Sequence, residues 1–268
     1  MAKAPAVKWT REHFLIALNL YGKIQFGKLH KGNPLIKDVA AKMGRTANSL
    51  AMKLCNFASL DPVIQAQGKK GLPGATPQDR RVWNEFYSDL SNLAPYSEQL
   101  LHDLFTPDED TEVDFLQRDE VVLEPSSTLI APKGSTEATA SVKVRRGQQF
   151  FRQSVLASYG VRCCITGITV PRLLIASHIK PWRESSDEER LCPRNGLCLS
   201  CLHDAAFDSF LITLDEDMRV VLSKTIKRFF QQPALEQNFA PYEGQRISMP
   251  TKLAEPDPVF LSFHRERV

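Results

Sequence analysis

Three short stretches of this chain hold the residues best suited to chemistry: ASHIKPW (176–182), RNGLCLS (194–200) and LHDAAFD (202–208). They bring His178, Asn195, His203, Asp204 and Asp208 close together along the chain. An imidazole exchanges a proton near neutral pH, which suits His178 to acid–base work. An asparagine amide such as that of Asn195 both donates and accepts. Asp204 and Asp208 stand at i and i+4 and so share one helix face. Two carboxylates there suit a hard cation such as Mg²⁺ or Mn²⁺. His203 is offset by about one helical step and is a further ligand candidate. Each residue also has an ordinary structural role open to it. His178 can be a satisfied strand histidine, Asn195 an Asn-Gly turn residue, and Asp204 a helix cap.

The elements that must position these residues are readable in outline. QQFFRQSVLASYG reads as a helix ended by Gly160, and RCCITGI as a strand and turn. LLIASHIKPW is an apolar run entering a strand, stopped by Pro181. NGLCLSCLHDAAFDSF runs from a strand into a helix, and FLITLDEDMRVVLS is a hairpin about Asp215–Asp217. The last 40 or so residues carry no strong signal.

The first hundred residues read as helical. Phe14, Ala17, Leu18 and Tyr21 form one apolar stripe, with Thr10 as N-cap and His13 where a capping-box acid would stand. Asn33-Pro34 opens a second helix, Gly44 ends it, and Thr46 caps a third. Two short helices about a glycine turn are the helix-turn-helix pattern. Asp79–Leu93 reads as a further amphipathic helix.

Taken together, the three motifs resemble an HNH nuclease domain. With RCCITG (162–167) ahead of them they are similar to the HNH restriction endonuclease subgroup. WTREHFLIALNLYGKI, GRTANSLAMKLCNFASLDP and KKGLPG resemble the helical region preceding the nuclease there. The resemblance spans about residues 8–95 and 148–223. It implies hydrolysis of DNA phosphodiesters with one divalent cation, on a ββα-metal scaffold. His178 would be the general base, and Asn195 would hold the base or the metal-binding loop. The ligand would come from Asp204, His203 or Asp208, in that order of preference, since the motif's final His falls at Asp204. Lys180, Arg183, Arg194, Arg162 and Arg152 flank the motif as phosphate contacts. The helical part also resembles a Myb/SANT-like helix-turn-helix. There Arg45, Asn48, Lys53 and Asn56 would be exposed donors to DNA.

The resemblance has two departures. The subgroup has a basic residue and Gly before LIT, whereas this chain has Ser209-Phe210. If that position needs φ > 0, Phe210 is strained there. The family's zinc cysteines fall at Ser200 and His203, and at Thr166 or Gly167, out of register with Cys163, Cys164, Cys198 and Cys201. A structural Zn²⁺ is therefore not expected, and buried free thiols are the better reading.

Composition fits this picture without deciding it. The 268 residues are 43% hydrophobic and 24% charged, with a net charge of +3. From Thr106 to Ser141 there are nine acids and two bases, which leaves the rest of the chain at +10. A basic body with an acidic connector suits a polyanion such as DNA. No apolar run approaches the ~18 residues of a membrane span. MAKAPAVKWTREHF lacks a secretory signal's apolar stretch, so a cytoplasmic location and no membrane partner are expected.

The expected fold is α+β. A helical, helix-turn-helix-like domain covers 1–105, an acidic linker 106–146, and a nuclease domain 147–268. A homodimer and a regulatory partner stay open. The alternatives to defence against foreign DNA are a repair, mobile-element or toxin nuclease, and a DNA-binding regulator with a decayed site.

Overall fold

The computed structural model describes residues 8–69, 74–107, 111–115, 122–125, 135–251 and 255–268. The chain divides into two compact units, Met1–Gln153 and Ser154–Val268. No described helix is long and apolar enough to cross a membrane.

The first unit is built around helix α1 (Arg11–Lys23). Thr10 Oγ1 accepts from the His13 amide while the His13 ring accepts from the Thr10 amide, so the expected capping box forms. The stripe of Phe14, Ala17, Leu18 and Tyr21 is buried, and so are Leu15, Ile16 and Leu20. From Phe14 to Lys23 α1 is buried because other helices enclose it, and its polar Asn19 and Lys23 are paired with Glu98. It packs against α3 (Ala47–Ala58), α5 (Pro77–Ser88) and α6 (Leu90–Asp103). α2 (Pro34–Lys42) packs on α3 across Gly44, whose φ of 65° is the left-handed value a C′ glycine supplies. A short α4 (Pro62–Ala66) follows α3. The single helix expected over 79–93 is two, parted at Asp89.

Where a connector was expected, the described residues carry structure. β1 (Thr111–Asp114) pairs antiparallel with β2 (Val122–Pro125), and α7 spans Ser135–Ser158. Thr128–Ile130, a stretch of the expected linker whose residue types also allow a short strand, lies outside the described residues. The Val113 carbonyl accepts from Gln149 Nε2 at 3.0 Å and Gln153 Nε2 at 2.9 Å. Buried Arg146 donates to Gln99 and Gln149. These long-range ties hold hairpin and helix to the first unit, and no local pattern in the sequence announces them.

The second unit contains two small antiparallel sheets. β3 (Leu174–His178) pairs with β4 (Gly196–Ser200), with Leu174 opposite Ser200 and His178 opposite Gly196. The intervening loop carries α8 (Asp187–Leu191). α9 (Cys201–Asp208) continues directly from β4 and packs on both strands. β5 (Ile212–Leu214) and β6 (Val220–Leu222) form the expected hairpin. α10 (Lys224–Lys227) and α11 (Pro233–Phe239) follow, and α12 (Pro258–Arg265) packs on β5. Leu197, Leu199, Phe207, Ile212, Leu214 and Leu261 are in its core.

Candidate active site

The three motifs meet in the second unit because the register of β3 on β4 places His178 beside the chain at Asn195–Gly196. His178 Nε2 lies 3.0 Å from the Arg190 carbonyl. A carbonyl only accepts, so Nε2 carries the proton and the neutral ring has its lone pair on Nδ1. The Trp182 ring stands edge-on to the imidazole, with centroids 5.5 Å apart. Burial holds the His178 pKa below the usual imidazole value, against smaller upward pulls from the Arg190 carbonyl and the Asp208 charge.

Asn195 is fully buried. Its Oδ1 accepts from the Lys180 amide at 2.8 Å. Its Nδ2 donates to Glu189 O at 3.1 Å, and to Lys180 O and Ser185 Oγ at 3.4 Å. The Ile179 amide donates to the Asn195 carbonyl at 3.0 Å. One side chain therefore ties together both ends of the loop that carries Arg190, the residue that sets the His178 tautomer.

Side chains alternate along a strand, so Ser177 and His178 leave β3 on opposite faces. Ser177 is the neighbour on β3 whose hydroxyl acts on the Asp204 carboxylate. Burial raises the Asp204 pKa, the Ser177 hydrogen bond opposes this, and the Asp208 charge adds to the rise. Asp208 is one turn further along α9 and exposed, and its charge is felt at His178. Two hard oxygen donors that repel each other, one of them acting on the His178 ring, fit a divalent cation, which would relieve the repulsion. Among the described residues no three His, Cys, Asp or Glu side chains converge as a ready-made metal cage.

His203 belongs to different surroundings. It is buried, its Nδ1 is 3.0 Å from Ser200 Oγ, and its ring packs on Phe239 and Tyr242 at 4.9 and 5.6 Å. Its pKa is lowered by burial, against an upward pull from the Asn238 backbone. One residue is about 100° of helix rotation, enough to turn His203 towards α11 while Asp204 faces β3.

Residues 163–215 match the HNH endonuclease family. No curated protein matches the chain. The HNH segment covers both strands, α9 and the turn into β5. It includes all five candidate base, asparagine and ligand positions and ends well short of α12.

The expected phosphate contacts divide into paired and unpaired groups. Lys180 Nζ is 2.7 Å from Glu189 Oε2, and Arg194 is 3.2 Å from Asp257. Arg162 donates to the Gly167 carbonyl at 3.2 Å, and Arg183 is exposed. In the first unit Asn48 is exposed, whereas the expected exposure of Lys53 fails. Lys53 is buried in an ion pair with Asp79, to which Asn56 also donates at 3.4 Å. Arg45 stacks on Trp9 at 3.9 Å. A buried carboxylate at the start of α5 requires a cation, and Lys53 supplies it.

Sequence reasoning passed over Ser177, Arg190 and Trp182. Ser177 was within reach, since period-two alternation places the neighbour of His178 on the face towards the following helix. The Arg190 carbonyl is a backbone group and leaves no residue-type signal.

Proposed function

We propose that this chain is a divalent-metal-dependent DNA endonuclease of the HNH type, with β3, β4 and α9 as its ββα-metal unit. The observation that carries this reading is the His178–Arg190 hydrogen bond, which leaves the imidazole lone pair on Nδ1 in a ring that feels the charge of Asp208 on α9.

His178 Nδ1 takes the proton of the attacking water as the new bond to phosphorus forms and the bond to the leaving sugar oxygen breaks. Its lowered pKa keeps the ring neutral, and therefore basic, at physiological pH. Asn195 holds the loop that presents the Arg190 carbonyl. Asp204 and Asp208 would hold the cation, with Ser177 orienting Asp204. When bound, the cation supplies charge neutralisation on the phosphate and the leaving oxygen.

The first 105 residues and the second unit differ in charge balance. Residues 154–268 carry 14 bases and 14 acids, whereas residues 1–105 carry 14 bases and 8 acids. The helical region, with Asn48 and Arg45, supplies the larger share of the salt-dependent affinity for DNA. Likeness of the motifs to the HNH restriction endonuclease subgroup supports a role in defence against foreign DNA.

The test is incubation of plasmid with the purified full chain and Mg²⁺ or Mn²⁺, beside His178→Ala and Asp204→Asn. Nicking by wild type alone is expected. A wild type that binds DNA and never nicks it would replace this reading with that of a DNA-binding regulator.

A further inference from the structure

His264 is a buried imidazole that the proposed chemistry does not use, and it belongs to α12, outside the HNH segment. Its Nε2 donates to the Phe207 carbonyl at 2.9 Å. The lone pair is then on Nδ1, which accepts from Thr213 Oγ1 at 2.9 Å. Phe207 is in the last turn of α9 and Thr213 is in β5. One side chain thus bridges the junction that follows Asp208.

That junction is strained. The Phe210 amide donates to Phe207 O at 2.9 Å and the Leu211 amide to Ala206 O at 2.8 Å. This is a Schellman ending with Phe210 at C′, the position usually given to glycine. Phe210 has a φ of 56°, which costs a side-chain-bearing residue roughly 1–2 kcal/mol. The His264 ring occupies the angle between the two aromatics. It stacks on Phe207 with centroids 3.7 Å apart and planes 12° apart, and lies 5.0 Å from Phe210. The Phe207 carbonyl accepts from both Phe210 and His264, so the left-handed turn and the α12 side chain share one acceptor.

The rest of α12 reaches the other motifs. Its N-cap Asp257 pairs with Arg194, next to Asn195. Just past its C-terminus, Arg267 pairs with Glu184 at 2.9 Å in the loop after His178.

We infer that His264 is a positioning residue for the nuclease reaction: it fixes the last turn of α9 and so sets where the Asp208 carboxylate stands relative to His178. This rests on the HNH reading above. The strain at Phe210 would otherwise relax by unwinding the end of α9, and Asp208 is the last residue of that helix.

The experiment compares full-length wild type, His264→Phe, His264→Gln and Thr213→Val. Phe keeps the ring stacking and loses both hydrogen bonds. Gln keeps an amide donor for the Phe207 carbonyl. Thr213→Val removes one hydrogen bond and leaves the histidine. Mn²⁺ binding is read by electron paramagnetic resonance without DNA, and plasmid cleavage gives kcat and KM separately.

His264→Phe is expected to weaken Mn²⁺ binding and lower kcat by about 10-fold or more, with KM for DNA unchanged. Thr213→Val should move both in the same direction by less, and His264→Gln should recover part of the loss. Wild-type Mn²⁺ affinity and kcat in both His264→Phe and Thr213→Val overturn the inference. So does a parallel loss in folded content that accounts for the whole effect. His178→Ala, assayed alongside, separates the two readings. If it is inactive while His264→Phe is normal, only the positioning role fails; if it cleaves like wild type, the HNH reading fails and takes the inference with it.

Discussion

The Arg190 carbonyl accepts from His178 Nε2 at 3.0 Å, so the tautomer of the proposed base is set by the backbone of a loop twelve residues downstream. That arrangement fixes the sign of the pH dependence. The His178 pKa lies below the usual imidazole value of 6.5 because the ring is buried. The base works when neutral, so cleavage is full at neutral pH and is lost as pH falls through a midpoint below 6.5. A pH profile of kcat/KM at saturating Mg²⁺ checks this, and an acid limb centred above 7 would contradict it.

Asn195 supports that loop from inside. Asn195→Ala leaves the buried Lys180 amide and the Glu189 carbonyl short of partners, at a cost of about 2–3 kcal/mol. Urea unfolding should show the loss together with a fall in kcat. Asn195→Asp is expected to fail as a rescue, because a carboxylate can accept from Lys180 and cannot donate to Glu189. Full activity in the Asp variant would remove the loop-holding role.

Much of this site was legible because the relevant signals are local. The motif spacings place His178, Asn195 and α9. The Ser209-Phe210 departure from glycine foretells the left-handed φ of 56° at Phe210. The capping residues Thr10, Asn33 and Thr46 announce their helices. What escaped depends on pairs far apart in sequence. Lys53 meets Asp79 across 26 positions, and His264 meets Phe207 across 57. Neither partner carries a mark of the other, and an amphipathic stripe does not distinguish an exposed lysine from one enclosed with a carboxylate.

Lys53 yields a prediction that separates structure from DNA contact. Its side chain is 9% exposed and that of Asp79 is fully buried. Lys53→Met strands the carboxylate, which Asn56 and Thr76 satisfy only in part. A stability loss of about 3 kcal/mol is expected, with DNA affinity of the folded protein unchanged. Unaltered stability with weaker DNA binding would return Lys53 to the exposed donors.

The turn at Phe210 should invert a common preference. With the ring gone in both variants, Phe210→Gly is expected to be more stable than Phe210→Ala by about 1 kcal/mol, because glycine adopts φ of 56° without steric cost. Thermal unfolding of the two variants decides it. Equal stabilities would mean that the turn relaxes when the ring is removed.

His264 also makes stability depend on pH. Burial lowers its pKa to about 4, against opposing pulls from the Phe207 carbonyl and Asp208. As pH falls below about 6.5 the unfolded chain takes up this proton and the folded one does not. The stabilisation is complete above that value and shrinks down to about pH 4. Between pH 7 and 5 wild type should lose about 2 kcal/mol more than His264→Phe. Parallel losses measured by urea unfolding would place the histidine outside the core.

The pairing of His264 with Phe207 also bears on how the chain is made. Translation delivers His178, Asn195, Asp204 and Asp208 well before α12 leaves the ribosome. A product broken off before Pro258 would hold every motif residue and lack the side chain that steadies the end of α9. On the proposed reading, an unfinished copy would then cut DNA more slowly than the finished chain.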